Sequence, residues 1–389
     1  MRAVALVDGD HHADVTRDAI RSLPYDVVAA LLVGGGEKLE RGEDLGVPLV
    51  DALDRVEADV VVDLSDEPVL GPEQRFLWAS RALALGLRYE GADFSFEPPA
   101  YEPFPLPSLA VIGTGKRIGK TAVTGHVARL LARDREVVVV SMGRGGPARP
   151  EVCETPPTVA ELVELGRSGR HAASDYLETA ALSGVPTIGC RRAGGGLAGA
   201  TVTSTVLEGA RLAAARDPDV VVFDGSGAAI PPIATDLRVL VTRGDALAHG
   251  LNAYRLLVSD LVVLTGEADE DAIARLKDVP VFRAQLRLEP TEPLEGWRAA
   301  VFTTGPAPTD HLDAEIVHVS RNLGRRAELR AELERVDADV YVVELKAAAI
   351  DVVAEVALAR GAELVLADNR IEAPGLDETL VELLSGVRA

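Results

Sequence analysis

An α/β architecture with mostly parallel sheets, divided into three parts, is what this sequence predicts. Three observations carry that expectation. Short apolar runs alternate with stretches of helical spacing along the chain, a loop rich in glycine and lysine sits between one such run and the next helical stretch, and two proline-bearing segments interrupt the alternation. At 389 residues the chain exceeds one ordinary core, so two or three domains are expected.

The first part, residues 1–105, is read as an N-terminal α/β domain. Its apolar runs at 3–7, 27–33 and 60–64 are short and bounded by charged or glycine-rich stretches, as buried parallel strands should be. Residues 14–23 and 48–56 between them carry helical spacing. The segment EPPAYEPFPLPS, 97–108, can neither continue a helix nor sit in a central strand, and it sets the first boundary. The second part, 106–296, opens with a strand at 109–112 that feeds the glycine loop and a helix at 119–132. Further strands are expected at 137–140, 185–189, 220–223, 237–241 and 261–264, with helices at 158–165, 172–182, 201–215 and 246–257. A second break falls in LEPTEPLEG, 288–296. The third part, 297–389, is a small α/β region with strands at 299–303, 315–320, 340–345 and 363–367.

Composition removes several classes of function. With 47% hydrophobic and 26% charged residues the chain is globular and neither disordered nor fibrous. No apolar run approaches the roughly 18 residues of a bilayer span, and the opening MRAVALVDGDHH is unlike a secretory signal. The reading is a cytoplasmic protein. Cys153 and Cys190 match neither a disulfide framework nor a zinc site and read as small buried hydrophobes. A net charge of -21 repels nucleic acid and anionic membrane, so neither is expected as a partner, and a polyanionic substrate needs a local basic pocket. Only five lysines occur, so 35 of the 40 basic residues are arginine. Two of those lysines, Lys116 and Lys120, sit four residues apart, where a slim ammonium suits a phosphate-cradling loop.

Residues 113–121 read Gly113, Thr114, Gly115, Lys116, Arg117, Ile118, Gly119, Lys120, Thr121. A strand, a glycine-rich loop and a Gly-Lys-Thr opening a helix form an anion site, because backbone N–H groups and the helix N-terminus point at the phosphates. The second part is therefore expected to be a P-loop NTPase domain with a mostly parallel sheet. Lys120 is placed to reach the β and γ phosphates, and the Thr121 hydroxyl to bind Mg²⁺. Five residues rather than the usual four separate Gly113 from Gly119, yet the flanking strand and helix are in place. The metal's second partner is expected at Asp224, where the buried run DVVVFDGSGAAIPP, 219–232, ends a strand in an acid.

Three more segments follow expected strands, on the side where open parallel sheets bind ligands. One is SMGRGGP, 141–147, with Arg144 in it and Arg149 close behind. Another pairs Arg191 and Arg192 with Gly194, Gly195 and Gly196, ahead of a helix expected near Thr201, as a second phosphate cradle. The last gathers Asp8, Asp10, His11 and His12 with Asp63, Asp66 and Glu67 in the N-terminal part. Those acids and imidazoles are candidates to bind metal or cap a pocket, and equally have the composition of solvated loops. The glycines at 34–36, His126 and His171 take structural readings.

The loop GTGKRIGKT resembles that of dethiobiotin synthetase, in which Gly-Thr opens and Gly-Lys-Thr closes a loop of the same length. With SMGRGGP, RRAGGGLAG and FDGSG added, the full chain resembles the cyclic 2,3-diphosphoglycerate synthetase family, most specifically through Lys116, Arg117 and Lys120 together. The resemblance implies an ATP-driven, Mg²⁺-dependent ligase that closes 2,3-diphosphoglycerate into a cyclic intramolecular phosphoanhydride and releases ADP and phosphate. Lys116, Lys120, Arg117 and Asp224 then carry catalysis, Thr121 and Asp224 the metal, and Arg144, Arg191, Arg192 and the Gly194 to Gly196 turn the substrate. The alternatives are another ligase or small-acid kinase of the dethiobiotin synthetase type, for which Arg191 and Arg192 would be surplus, and a nucleotide-gated regulatory NTPase. ATP is the family's implication, since LVVLTGE at 261–267 lacks an Asn-Lys-x-Asp pattern. A homodimer is expected by analogy with P-loop enzymes of this branch, and Lys346, Asn369 and Arg370 in the third part are read as surface residues, with contacts at strand ends as the alternative.

Overall fold

A computed structural model describes the chain except for residues 36–37, 40–42, 159, 162–163, 165–174, 306, 346–349 and 387–389. Gly36, His171, Lys346 and much of the helix expected at 158–165 lie outside the described residues.

The first 97 residues build a six-stranded sheet from β1 (Arg2–Asp8), β2 (Asp26–Gly34), β3 (Leu49–Val50), β4 (Val60–Asp63), β5 (Arg88–Glu90) and β6 (Ser95–Phe96). The order is β3-β2-β1-β4-β5-β6, parallel except for the last pair. Helix α1 (Ala13–Ser22) falls where expected. The helix expected at 48–56 does not form. Pro48 accepts a hydrogen bond from Ala30 N at 2.9 Å, and Leu49 and Val50 pair with Ala30 and Leu31, so the segment joins the sheet edge and leaves only a 3-10 turn at Leu53–Arg55. Helix α2 (Pro72–Ala84), which periodicity did not reveal, starts on a proline whose ring suits a first helical turn and buries Ala79, Ala82 and Leu83.

The proline-rich link contributes β7 (Glu102–Pro103), which pairs with β14 (Ile233–Ala234) in a two-stranded sheet. The second sheet holds β8 (Ser108–Gly113), β9 (Val137–Gly143), β10 (Glu151–Cys153), β11 (Thr187–Ala193), β13 (Val220–Asp224), β15 (Leu237–Gly244), β16 (Leu261–Ala268) and β17 (Val281–Arg283). Their order is β10-β11-β9-β13-β8-β15-β16-β17, and only β10 runs antiparallel. Every residue of β8, β9 and β13 is buried, which explains why these strands read as continuous apolar runs. Helices α3 (Lys120–Leu131), α4 (Asp175–Ser183), α5 (Val206–Ala214), α6 (Asn252–Leu257) and α7 (Glu270–Leu276) cover it. The helix expected near Thr201 starts at Val206 instead, because β12 (Thr203–Ser204) first folds back on β11, Arg192 opposite Ser204.

The third sheet joins β18 (Gln285–Pro290), β19 (Arg298–Phe302), β20 (Glu315–Ser320), β21 (Val340–Glu344) and β22 (Glu363–Glu372) in the order β18-β22-β21-β19-β20. Helices α8 (Arg326–Leu333), α9 (Ile350–Arg360) and α10 (Leu376–Gly386) complete it. The chain end returns to the second sheet: Leu376 and Leu380 share a buried cluster with Val123 and Val127 of α3. His126 Nε2 and Asp377 Oδ1, 2.7 Å apart, join the same two helices, in keeping with a structural role for that histidine.

Candidate nucleotide and substrate site

The carboxyl ends of the parallel strands β8, β9, β13 and β15 lie along one edge of the second sheet, and the loops that follow them meet there. The 113–121 loop leaves β8 and turns into α3. A Cβ on Gly113 would stand 2.6 Å from Ile118 Cδ1, so the Ile118 side chain would have to shift to admit one. Gly119 has φ of +82° at the helix N-cap, a left-handed conformation that glycine adopts without penalty. Arg117 also has positive φ, +60°. Neighbouring strands hold this shape: Thr265 Oγ1 donates to Ile118 O at 2.6 Å, and the Thr114 and Thr242 hydroxyls are 3.0 Å apart. The first N–H groups of α3 have no partner within the helix, and Lys120 and Thr121 at its start line a cavity beside the loop.

That cavity, about 330 Å³, is lined by the loop from Gly115 to Thr121, by Arg144 and Gly145 after β9, and by Asp224, Ser226 and Gly227 after β13. Lys120 Nζ lies 3.4 Å from Asp224 Oδ1 and also donates to Gly225 O. Asp224 is buried, and its Oδ1 accepts from Thr124 Oγ1 at 3.0 Å. Burial pushes its carboxyl pKa up, while Lys120 and Thr124 pull it back. A cation beside a carboxyl group in such a place favours its charged form. Thr121 lines the same cavity, and two hard oxygen donors with room for phosphate oxygens suit Mg²⁺, which takes few protein ligands.

Lys116, Arg117 and Arg144 are exposed on the cavity wall. Arg191 and Arg192 do not line it. Arg191 donates through Nε to Gly146 O at 2.5 Å. Arg192, 8% exposed, donates to Ser226 O at 2.9 Å and Gly194 O at 2.7 Å. Gly194, Gly195 and Gly196 form the tip of the β11–β12 hairpin, closed by Gly196 N donating to Ala200 O at 2.8 Å; no helix starts there. The hairpin is nonetheless adjacent, because a Cβ on Gly227 would be 3.5 Å from Lys116 Cγ and 3.7 Å from Arg192 Nη2.

The N-terminal acids are engaged in local structure. Asp8 accepts from Asp10 N and Asp66 N, and Asp63 from Ser65 N, Arg75 Nε and Tyr89 Oη. Among the described residues no group of three or more His, Cys, Asp or Glu is placed to hold a metal.

Two features near these loops escaped the sequence reading. Arg255 on α6, 1% exposed, donates to Ala228 O at 2.9 Å and Leu197 O at 3.1 Å, so one guanidinium joins the loop after Asp224 to the hairpin. Its signal was a lone arginine between aromatic and aliphatic neighbours in NAYRLL. Glu344 ends the apolar run VYVVE by the same rule that singled out Asp224, and it too is buried.

Parallel strands feeding a phosphate-cradling loop, with a buried carboxylate on the adjacent strand end, define a P-loop nucleotide-dependent enzyme. Family models described as the N-terminal, P-loop and C-terminal domains of cyclic 2,3-diphosphoglycerate synthetase match residues 2–97, 108–282 and 290–370. The chain belongs to the cyclic 2,3-diphosphoglycerate synthetase family. Proteins of that name are similar over nearly their whole length: one from Rubrobacter xylanophilus is 46% identical over 98% of this chain and 97% of its own. Another, from Thermococcus kodakarensis, is 40% identical over 98% of both chains, and one from Methanothermus fervidus is 37% identical over 95% of this chain and 92% of its own. The family gives no support to a different ligase or a regulatory NTPase. Among the described residues no helix is long and apolar enough to cross a membrane.

Proposed function

We propose that this protein uses ATP to close 2,3-diphosphoglycerate into its cyclic phosphoanhydride, with release of ADP and phosphate. One observation carries the reading: Lys120 and Asp224 share a single cavity with the exposed cations Lys116, Arg117 and Arg144 in a chain of net charge -21. Each phosphomonoester bears about −1.5 to −2 charges. At an effective dielectric of about 20, each pair of unit charges about 4 Å apart repels by about 4 kcal/mol. Bringing two such groups together beside a triphosphate therefore requires concentrated positive charge.

In the proposed sequence the γ-phosphoryl group passes to one substrate phosphate: its bond to the β-phosphate oxygen breaks, ADP leaves and a pyrophosphoryl group forms. An oxygen of the other substrate phosphate then attacks the phosphorus bound to the glycerate. The ring anhydride forms as the bond to the former γ-phosphate breaks and inorganic phosphate departs. Lys120 and the 113–121 amides hold the triphosphate, Lys116 and Arg117 cover the charge in transfer, and Arg144 holds the substrate. Arg191, Arg192 and the Gly194 to Gly196 turn close the substrate side, Arg192 through its hold on Ser226. Catalysis then rests on position and charge neutralisation without a covalent nucleophile. Thr121 and Asp224 would hold Mg²⁺, which supplies further neutralisation of phosphate charge. By analogy the active form is a cytoplasmic homodimer, and the three parts divide near residues 105 and 296.

The test is ATP consumption with and without 2,3-diphosphoglycerate, with the product read by phosphorus NMR. Cyclic product, ADP and phosphate should appear in equal amounts. Lys120→Ala should lower kcat/KM by about 100-fold or more. Nucleotide hydrolysis indifferent to the substrate, or a Lys120→Ala variant with intact ATP affinity and turnover, would overturn the reading.

A further inference from the structure

A second cavity, about 260 Å³, lies on the other side of the 113–121 loop, and Arg117, Gly119 and Thr121 line both. Its floor is the first turn of α3 at Thr121 and Ala122, and its roof is the third sheet, through Thr303, Thr304, Glu344 and Asn369. We propose that this cavity receives the nucleoside of the triphosphate, so that the C-terminal region reads the base and ribose while the P-loop domain grips the phosphates. The inference rests on the nucleotide reading above.

Polarity of the loop sets the direction. With Lys120 and Asp224 on the first cavity, the terminal phosphates belong there. The unpaired N–H groups at the start of α3 then meet the phosphate nearest the nucleoside at Thr121 and Ala122, which open onto the second cavity. The strands of the third sheet end toward the same space: Thr303 and Thr304 follow β19, and Glu344 closes β21. Carboxyl ends of parallel strands are where such sheets bind ligands, so two sheets face one another across the loop.

The roof is a built polar surface. Glu344, 5% exposed, accepts from Thr304 N at 2.5 Å, from Thr304 Oγ1 at 2.8 Å and from Asn369 Nδ2 at 2.5 Å. One buried carboxylate thereby sets the orientation of a threonine and an asparagine amide that face the cavity. Leu182 and Leu286 supply apolar wall on either side, the combination of flat hydrophobic surface and few fixed polar groups that a purine requires. The volume is near the lower end of small-molecule sites, about 300 Å³, which suits one nucleoside.

The experiment compares ADP with tripolyphosphate, which carries the phosphates without the nucleoside. Calorimetric titrations of the full-length protein, Asn369→Ala, Thr304→Val and Lys120→Ala separate the two ends of the ligand. Asn369→Ala and Thr304→Val should weaken ADP by about tenfold and leave tripolyphosphate unchanged, whereas Lys120→Ala should weaken both. ADP affinity unchanged in both cavity variants overturns the inference and leaves the phosphate site standing; binding of both ligands unaffected by Lys120→Ala overturns the nucleotide reading itself. Photolabelling of the unmodified protein with 8-azido-ADP avoids any question of folding. Labelled peptides should contain residues 303–305, 344–345 or 369, and label confined to peptides outside this cavity would overturn the inference.

Discussion

Glycine at position 119 is favoured by its φ of +82°, and a Cβ there would also stand 3.0 Å from Thr265 Cγ2, which would have to give slightly. A non-glycine residue in the left-handed region costs about 1–2 kcal/mol, and the loop bearing that strain also forms the phosphate cradle. Gly119→Ala should therefore lower the thermal midpoint and raise the KM for ATP together; a loss of stability at unchanged KM would mean that the loop relaxes without disturbing the site. Cys190 illustrates the opposite case, a reactive group made inert. Burial pushes its thiol up to about 12, so the folded protein binds that proton more tightly than the unfolded chain does. Its contribution to stability is intact below the ordinary thiol range and is lost as pH rises toward 12. At pH 8 a thiol reagent should modify at most the half-buried Cys153 in the native protein and both cysteines in denaturant. Rapid native labelling of Cys190 would contradict its burial.

Among the elements, α3 has the widest responsibilities. Its first turn faces both cavities, Thr124 in its second turn supports Asp224, and its far side packs on α10. The glycine loop announced the helix but not its partners, because those come from 100 to about 250 residues downstream. Leu380 of α10 is 0% exposed. Leu380→Ala should destabilise the protein by about 2–5 kcal/mol and weaken ADP binding, through slackening of α3, as measured by denaturant unfolding and calorimetry. A stability loss with ADP affinity unchanged would confine α10 to a purely structural task. The helix expected at 48–56, which does not form, belongs to this scale too. Its apolar spacing was real, but an open sheet edge offered Leu49 and Val50 hydrogen bonds that a short helix behind a proline could not match.

For the whole molecule, the balance of charge is the governing quantity. A net charge of -21 repels a polyanionic substrate at long range, while the exposed cations on the cavity wall attract it at short range. Salt with a Debye length of about 10 Å at 0.1 M screens the first before the second. The kcat/KM for 2,3-diphosphoglycerate should therefore rise as ionic strength climbs toward about 0.1 M and fall near 1 M. A monotonic fall from the lowest salt would show that the local cations dominate at every distance.

Residue types and their order along the chain determined the parallel α/β alternation, the phosphate loop and its partner acid Asp224, since each is encoded within one strand, one loop or one helix turn. The family followed from the same motifs. Only the tertiary structure decided which strand ends meet across that loop. Arg191 and Arg192 turned out to bond backbone carbonyls of neighbouring loops, Arg255 was revealed as the link between hairpin and Asp224 loop, and Glu344, Thr304 and Asn369 were brought over the nucleotide loop from a different sheet. The physical reason is distance along the chain: hydrogen bonds and packing within a few residues leave a pattern in local spacing, whereas contacts between residues 200 apart depend on how whole sheets pack, which no local spacing records.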